Sequence, residues 1–182
     1  MISFRYRLKR ARRRFGKSRK GSAAIEFALV AVPFFLLTFG LAEVGMIGLA
    51  QTSLNFAISD AGRQIRTGQA QLNGVTEAEM SDQICDGLND FLLMSCTDTL
   101  FIDVDRFDSF VDVGVMDNPL ASGQLDDSNF GYAPGAPSDV VVVRAYYRWH
   151  IMTPLFEDLL GNVTGGERVL VSTMLFRNEP YL

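Results

Sequence analysis

The feature that most constrains this chain is a long apolar run near its start. Phe27 to Ala42 is sixteen residues without a charge, Glu43 interrupts it, and Val44 to Ala50 resumes it. As a helix, Phe27–Ala50 reaches about 36 Å at ~1.5 Å per residue. That length crosses a hydrocarbon core of ~30 Å with some tilt.

What precedes the run sets its direction. Ten of the 17 Lys and Arg residues lie within residues 1–20, and no acid precedes Glu26. The formal net charge of −4 therefore averages a basic arm with a strongly acidic remainder. A basic arm alone could bind nucleic acid. Placed directly before an apolar span, it reads as the flank held in the cytoplasm, which puts the rest of the chain outside. Membrane lipid, and no nucleic acid, is the partner this charge pattern predicts.

Three fates are open for such a segment. It stays as an uncleaved anchor; a general signal peptidase cuts after Ala50, reading the small residues of Gly48-Leu49-Ala50; or the cut falls at Gly21, before the run. The second fate fits less well, because secretory apolar regions are usually ~7–15 residues long.

Glu26 opens the span, and a carboxylate near lipid costs ~2.5–3.5 kcal/mol on insertion scales, which marks it as functional by default. A cut after Gly21 exposes an amine on Ser22, four residues away, and an acid in a first helical turn also suits the helix dipole. Glu43 lies deeper, either at the outer interface or against a partner helix. Pro33 removes a backbone donor and is expected to kink or loosen the helix. Gly45 and Gly48, with Ala42 and Ala50, offer small surfaces for helix packing.

Beyond the membrane, Leu54, Ile58, Ala61 and Ile65 keep helical spacing, so the helix is expected to run on to about Thr67, before Gly68. Thr76-Glu77-Ala78-Glu79 is a capping-box pattern for a second helix. Its apolar stripe is Met80, Ile84, Leu88 and Phe91, with Asp82, Asp86 and Asp90 on the wet side. Four strands are expected: Leu100–Asp105, Val111–Val115, Asp139–His150 as the central one, and Arg168–Phe176. They form an antiparallel sheet covered on one face by a helix, an α+β fold. Pro154–Leu160 reads as a short connecting helix ended by Gly161. Residues 118–138 form a 21-residue stretch of turn formers carrying Phe130 and Tyr132, read equally as a partner-contact loop and as a mobile insertion.

Cys85 and Cys96 are the only cysteines. Outside the cytoplasm disulfides persist, so a bond pinning the end of the second helix is favoured over two buried thiols. Catalytic chemistry is not legible. His150 stands alone, and no G-x-S-x-G, P-loop or H-E-x-x-H occurs. Asp103, Asp105 and Asp108 lack the glycine and distal glutamate of a calcium loop and fit the wet face of a strand. Two cysteines and one histidine do not complete a zinc site. No cofactor and no metal are expected, and the chain is not read as an enzyme. Asn162-Val163-Thr164 matches a glycosylation triplet, a short motif of low specificity.

The residues from Gly21 onward resemble a known family. Gly21 followed by Ser22-Ala23-Ala24-Ile25-Glu26-Phe27 is similar to a prepilin peptidase site, where a basic leader ends in Gly and a Glu stands fifth in the mature chain. "FALVAVPFFLLTFGLAEVG" resembles the TadE and TadF minor pseudopilins of the tight-adherence (Tad/Flp) pilus assembly system, and "FRNEPYL" looks like the close of TadE-like chains. Ser22 departs from the Phe that opens mature type IV pilins.

The resemblance implies a leader at residues 1–21 removed after Gly21, a transmembrane and spine helix at 22–68, and a periplasmic head at 69–182. It implies Gly21 and Ser22 as processing residues, and Glu26, Phe27 and Glu43 as assembly residues. The implied partners are a prepilin peptidase, a second pseudopilin, the major pilin and the inner-membrane platform. The expected place is the bacterial inner membrane in a single pass, with incorporation into the pilus or release as later fates. The rival reading is an uncleaved bitopic periplasmic sensor or binding protein.

Overall fold

The computed structural model describes residues 20–92 and 96–181. The basic arm, and with it most of the expected leader, lies outside the described residues, and so do the side chains of Asp90 and Phe91.

Helix α1 spans Lys20–Arg66 and runs without interruption through Pro33. Its chain divides between two compact units, one ending at Ala42 and the other beginning at Glu43. From Gly21 to Ala42 nearly every side chain is exposed, among them Phe27, Leu29, Leu37 and Leu41. An apolar helix exposed in this way is stable only where something other than water covers it.

At Glu43 the pattern changes. Glu43, Ile47, Ala50, Leu54, Ile58, Ala61 and Ile65 are all buried. Their spacing of three and four residues draws one stripe along the helix, and that stripe is half of the head's core. Each fully buried Leu or Ile in it contributes about 1.5–3 kcal/mol relative to exposure.

Past Gly68 a short α2 (Gln69–Leu72) leads to α3 (Glu77–Leu92). The capping box forms as expected: Glu79 N–H donates to Thr76 Oγ1 at 3.3 Å, and Thr76 N–H donates to Glu79 Oε2 at 2.8 Å. Met80, Ile84 and Leu88 are buried, while Asp82 and Asp86 face solvent.

Among the described residues the sheet has three strands, not four. β1 (Leu100–Phe107), β2 (Val140–Trp149) and β3 (Arg168–Arg177) pair antiparallel in the order β1-β2-β3. The expected strand at Val111–Val115 is a 3-10 turn at Asp112–Val115. Ser109 explains the difference, because its N–H and hydroxyl both donate to Asp112 Oδ2, at 3.1 and 2.7 Å. This local bonding coils the backbone before any strand partner is reached. The connection from β2 to β3 holds a 3-10 turn at Pro154–Phe156 and helix α4 (Glu157–Leu160), followed by Gly161.

Alternation along β2 divides the two faces. Val141, Val143, Ala145, Tyr147 and Trp149 pack on α1 and α3. Tyr146 faces the other way, toward Leu125, Phe130 and Val169. Residues 118–138 therefore act as the lid of the sheet's second face. Val104 exchanges hydrogen bonds with Gly131 and Ala133 at 2.8 and 2.7 Å, and Phe130 stacks on Tyr146 with centroids 5.1 Å apart. This segment belongs to the fold of the head.

Candidate functional site

Two stretches of α1 carry the residues that the sequence singles out. The first is its N-terminal turn. The Ser22 hydroxyl donates to Glu26 Oε1 at 2.8 Å, an i,i+4 contact on one exposed helix face. Ile25 and Phe27 beside it are 63% and 71% exposed. This end of the helix thus presents one carboxylate, one hydroxyl and a bare apolar surface. Gly21 lies inside the same helix, and a side chain there would meet nothing within 4 Å.

The second stretch is Glu43. Its side chain is 1% exposed and is held within its own chain. Oε1 accepts the Met152 N–H at 3.1 Å, and Oε2 accepts the Thr153 hydroxyl at 3.1 Å. The sequence leaves Glu43 either at the outer interface or against a partner helix; the structure supplies a partner 109 residues away in the same chain. A signal for this was present, since Glu43, Ile47, Ala50 and Leu54 are spaced as the buried stripe is spaced.

The head places the remaining candidates. Cys85 and Cys96 are joined by a disulfide between α3 and the approach to β1. Asp103 corrects the expectation of a solvated strand face, being 1% exposed. Its Oδ2 accepts from Arg144 Nε at 2.9 Å and from Nη2, and its Oδ1 accepts the Gly131 N–H at 3.1 Å. Asp103 and Arg144 are direct cross-strand partners. Arg144 also donates to the Asp117 carbonyl at 3.3 Å and to Asp105 Oδ2 at 3.3 Å. Burial, reinforced by the nearby Asp103 charge, raises the Asp105 carboxyl above its ordinary value despite the attraction of Arg144. The cluster is a structural staple between the sheet and residues 117–131.

Asn162 is likewise occupied. Its amide donates to the Val169 carbonyl and accepts the Val169 N–H, at 3.0 and 2.7 Å, so it caps the edge of β3. A glycan on Asn162 would be attached to the same Nδ2 that donates to the Val169 carbonyl.

The C-terminal stretch has a mechanical role that its sequence does not announce. Arg66, the last residue of α1, donates through Nε and Nη2 to Glu179 Oε1 at 3.0 and 2.9 Å, and its carbonyl accepts the Glu179 N–H at 2.8 Å. Asn178 is buried and donates to the carbonyls of Pro134 and Ala136. The Tyr181 ring lies over Gly68, where a Cβ would meet its atoms at 2.2 Å. This tail fastens the end of α1 to the sheet and the lid.

Among the described residues no group of three His, Cys, Asp or Glu side chains is placed to hold a metal ion. His150 is exposed at the end of β2. A cavity of about 540 Å³ lies between the start of α3 and β1, and its polar side chains are Thr76, Glu77, Ser81 and Asp127. None of these forms a nucleophile and base pair. The geometry that stands out is an exposed apolar half-helix joined covalently to a fastened head.

Residues 21–63 match the family model described as TadE-like protein. The match begins at Gly21 and contains Ser22, Glu26, Phe27 and Glu43, while "FRNEPYL" lies beyond it. No curated protein and no solved structure matches the chain.

Proposed function

We propose that this chain, TadE-like over its membrane helix, is a minor pseudopilin of a tight-adherence pilus system, cut by a prepilin peptidase after Gly21 and required for pilus assembly, and so for adhesion and biofilm formation. It acts as a substrate and a building part, not as a catalyst. The observation that carries this reading is the TadE-like match starting at Gly21, on a helix apolar and exposed to Ala42 and core-forming from Glu43.

That division supports a definite depth for Glu26. The head, bathed in water, closes on Glu43, so the hydrocarbon ends near Ala42. Seventeen residues separate Glu26 from Glu43, a rise of about 25 Å along a helix. A hydrocarbon core of ~30 Å then reaches past Glu26 toward Ser22. Glu26 lies just inside lipid, where a carboxylate needs a partner. The Ser22 hydroxyl already meets it at 2.8 Å. Cutting after Gly21 adds an amine at the same residue, available to this carboxylate or to that of a neighbouring subunit. Phe27 and the exposed apolar face beside it pack against other subunits, and Glu43 fixes where the head begins.

In this reading the basic arm stays in the cytoplasm and the head is periplasmic, where the Cys85–Cys96 disulfide persists. The peptidase, a second pseudopilin, the major pilin and the inner-membrane platform are its partners. A mature chain starting at Ser22 retains the whole head, which suits a priming or accessory part better than a repeating fibre subunit. A cut after Ala50 is disfavoured, since it would strip Glu43, Ile47 and Ala50 from the core.

The test is the N-terminal residue of the membrane-associated protein, read by sequencing or mass spectrometry. Ser22 supports the pseudopilin, Met1 the uncleaved anchor, and Gln51 a secreted domain. Glu26→Ala is expected to be cleaved normally and to fail in piliation; normal pili from that variant would remove the role given to the carboxylate.

A further inference from the structure

The head has a definite end nearest the lipid, and contacts along α1 identify it. Rising from Glu43, the helix meets Met152 and Thr153 first. Gln51 then donates to the Val171 carbonyl at 2.9 Å, Gly62 lies under Met174 and Phe176, and Arg66 binds Glu179. β3 thus runs alongside α1 in the same direction, and the β2–β3 connection sits at the end where the helix leaves for Ala42.

That connection is two-faced. Phe156 and Leu160 turn inward against the core. Met152, Leu155 and Leu159 turn outward and are 59%, 66% and 75% exposed. Met152 stands before the 3-10 turn, Leu155 lies in it and Leu159 in the short helix that follows. They lie within a few residues of the point where Glu43 hydrogen-bonds this same connection. An apolar face at this level costs free energy in water and gains it at the boundary of headgroups and acyl chains.

We propose that Met152, Leu155 and Leu159 form an interfacial foot by which the head rests on the outer surface of the bilayer that α1 crosses. The proposal rests on the membrane-anchored reading of α1. The partner is a zwitterionic lipid surface, because Asp158 is exposed within the foot and Glu157 stands beside it, so anionic headgroups are repelled. The foot residues are freed when the subunit leaves the bilayer.

The test uses the full chain in phosphatidylcholine nanodiscs, with an environment-sensitive fluorophore on a single introduced cysteine. The native cysteines are bonded to one another. The label goes at Leu159→Cys, and at Val111→Cys as the control. Val111 is 83% exposed and follows Phe110, whose ring lies beneath Arg177 at the far end of the sheet. At position 159 the expected result is quenching by a spin label near the lipid headgroup and protection from aqueous iodide about threefold greater than at 111, as for a residue inserted at the interface. Equal access of iodide to both positions overturns the foot. Protection at 159 without quenching from lipid also overturns it, assigning the face to a protein partner. A label at Phe35→Cys reports on the span separately. If it escapes a quencher placed deep in the acyl chains, the membrane reading fails; if it is quenched while 159 is aqueous, the foot alone fails. Met152→Ser with Leu155→Ser, carrying the label at Leu159→Cys, keeps the inward Phe156 and Leu160, so this variant should fold and lose both the lipid quenching and the iodide protection at 159; unchanged values for both also overturn the foot.

Discussion

The carboxylate of Glu43 accepts the backbone N–H of Met152 and the hydroxyl of Thr153, each at 3.1 Å, in a site 1% exposed. Glu43 directly follows the charge-free run, so this contact marks the point where the helix passes from exposed positions to the core of the head. Glu43→Ala removes the buried acceptor shared by the Met152 N–H and the Thr153 hydroxyl, a cost of about 1–3 kcal/mol. Glu43→Gln keeps one acceptor oxygen and should cost less. Urea unfolding of the detergent-solubilised protein, followed by the fluorescence of Trp149, would show a lowered midpoint for Glu43→Ala; an unchanged midpoint means that the contact stabilises nothing.

Asp103 and Arg144 tie two strands to residues 117–131. Asp103→Ala removes the buried acceptor and leaves Arg144 only its two longer contacts, to Asp105 and the Asp117 carbonyl, so a loss of about 3 kcal/mol is expected, at the lower end for a broken buried pair. Limited proteolysis should find the lid first, with cleavage between residues 118 and 138 appearing before the core is cut. Parent-like resistance of that segment would mean that Phe130 and Leu125 alone hold it.

Asp105 carries a pH signature of opposite sign to an ordinary ion pair. Its folded carboxyl titrates above the ordinary value, because burial and Asp103 disfavour its charge. Between the ordinary value and the raised one the folded state binds more protons, so this group's contribution to stability falls as pH rises through that window. Asp105→Asn should raise the melting temperature at neutral pH, and the gain should vanish below the ordinary carboxylate range. A gain that persists at low pH would point to packing instead of charge.

Gly68 has φ 79° and touches the ring of Tyr181. Gly68→Ala meets both a left-handed backbone, costing about 1 kcal/mol, and a direct collision with the ring. Tyr181→Ala should relieve the collision only, so the double variant is expected to be more stable than Gly68→Ala. Simple additivity in thermal melts would show that the tail does not press on the helix end.

The Cys85–Cys96 bond closes a loop of 11 residues in sequence. Such a closure contributes about 2–3 kcal/mol. Reduction should lower the melting temperature of the parent and leave Cys85→Ser with Cys96→Ser unaffected. The same shift in both would assign the effect to the reductant.

Local information made much of this fold legible from the chain. Thr76 and Glu79 write the start of α3, Met80, Ile84 and Leu88 write its buried face, and β2 is marked by its run of valines and aromatics. These rest on propensity and period, which neighbouring residues set among themselves. The 3-10 turn at Asp112–Val115 was also a local event, since Ser109 and Asp112 have capping-box spacing, yet three alternating valines concealed it.

What the sequence by itself determined was the long apolar helix, the second helix, three strands and the cysteine pair. Tertiary structure alone decided that Glu43 belongs to the head, that Asp103 is buried, that residues 118–138 roof the sheet, and that Met152, Leu155 and Leu159 are exposed on the connection that Glu43 hydrogen-bonds. The physical reason is common to all four. Whether a carboxylate or a leucine is buried depends on partners 41 to 110 residues away for Asp103 and Glu43. Periodicity gives which residues share a face, and only the closed fold gives what that face meets.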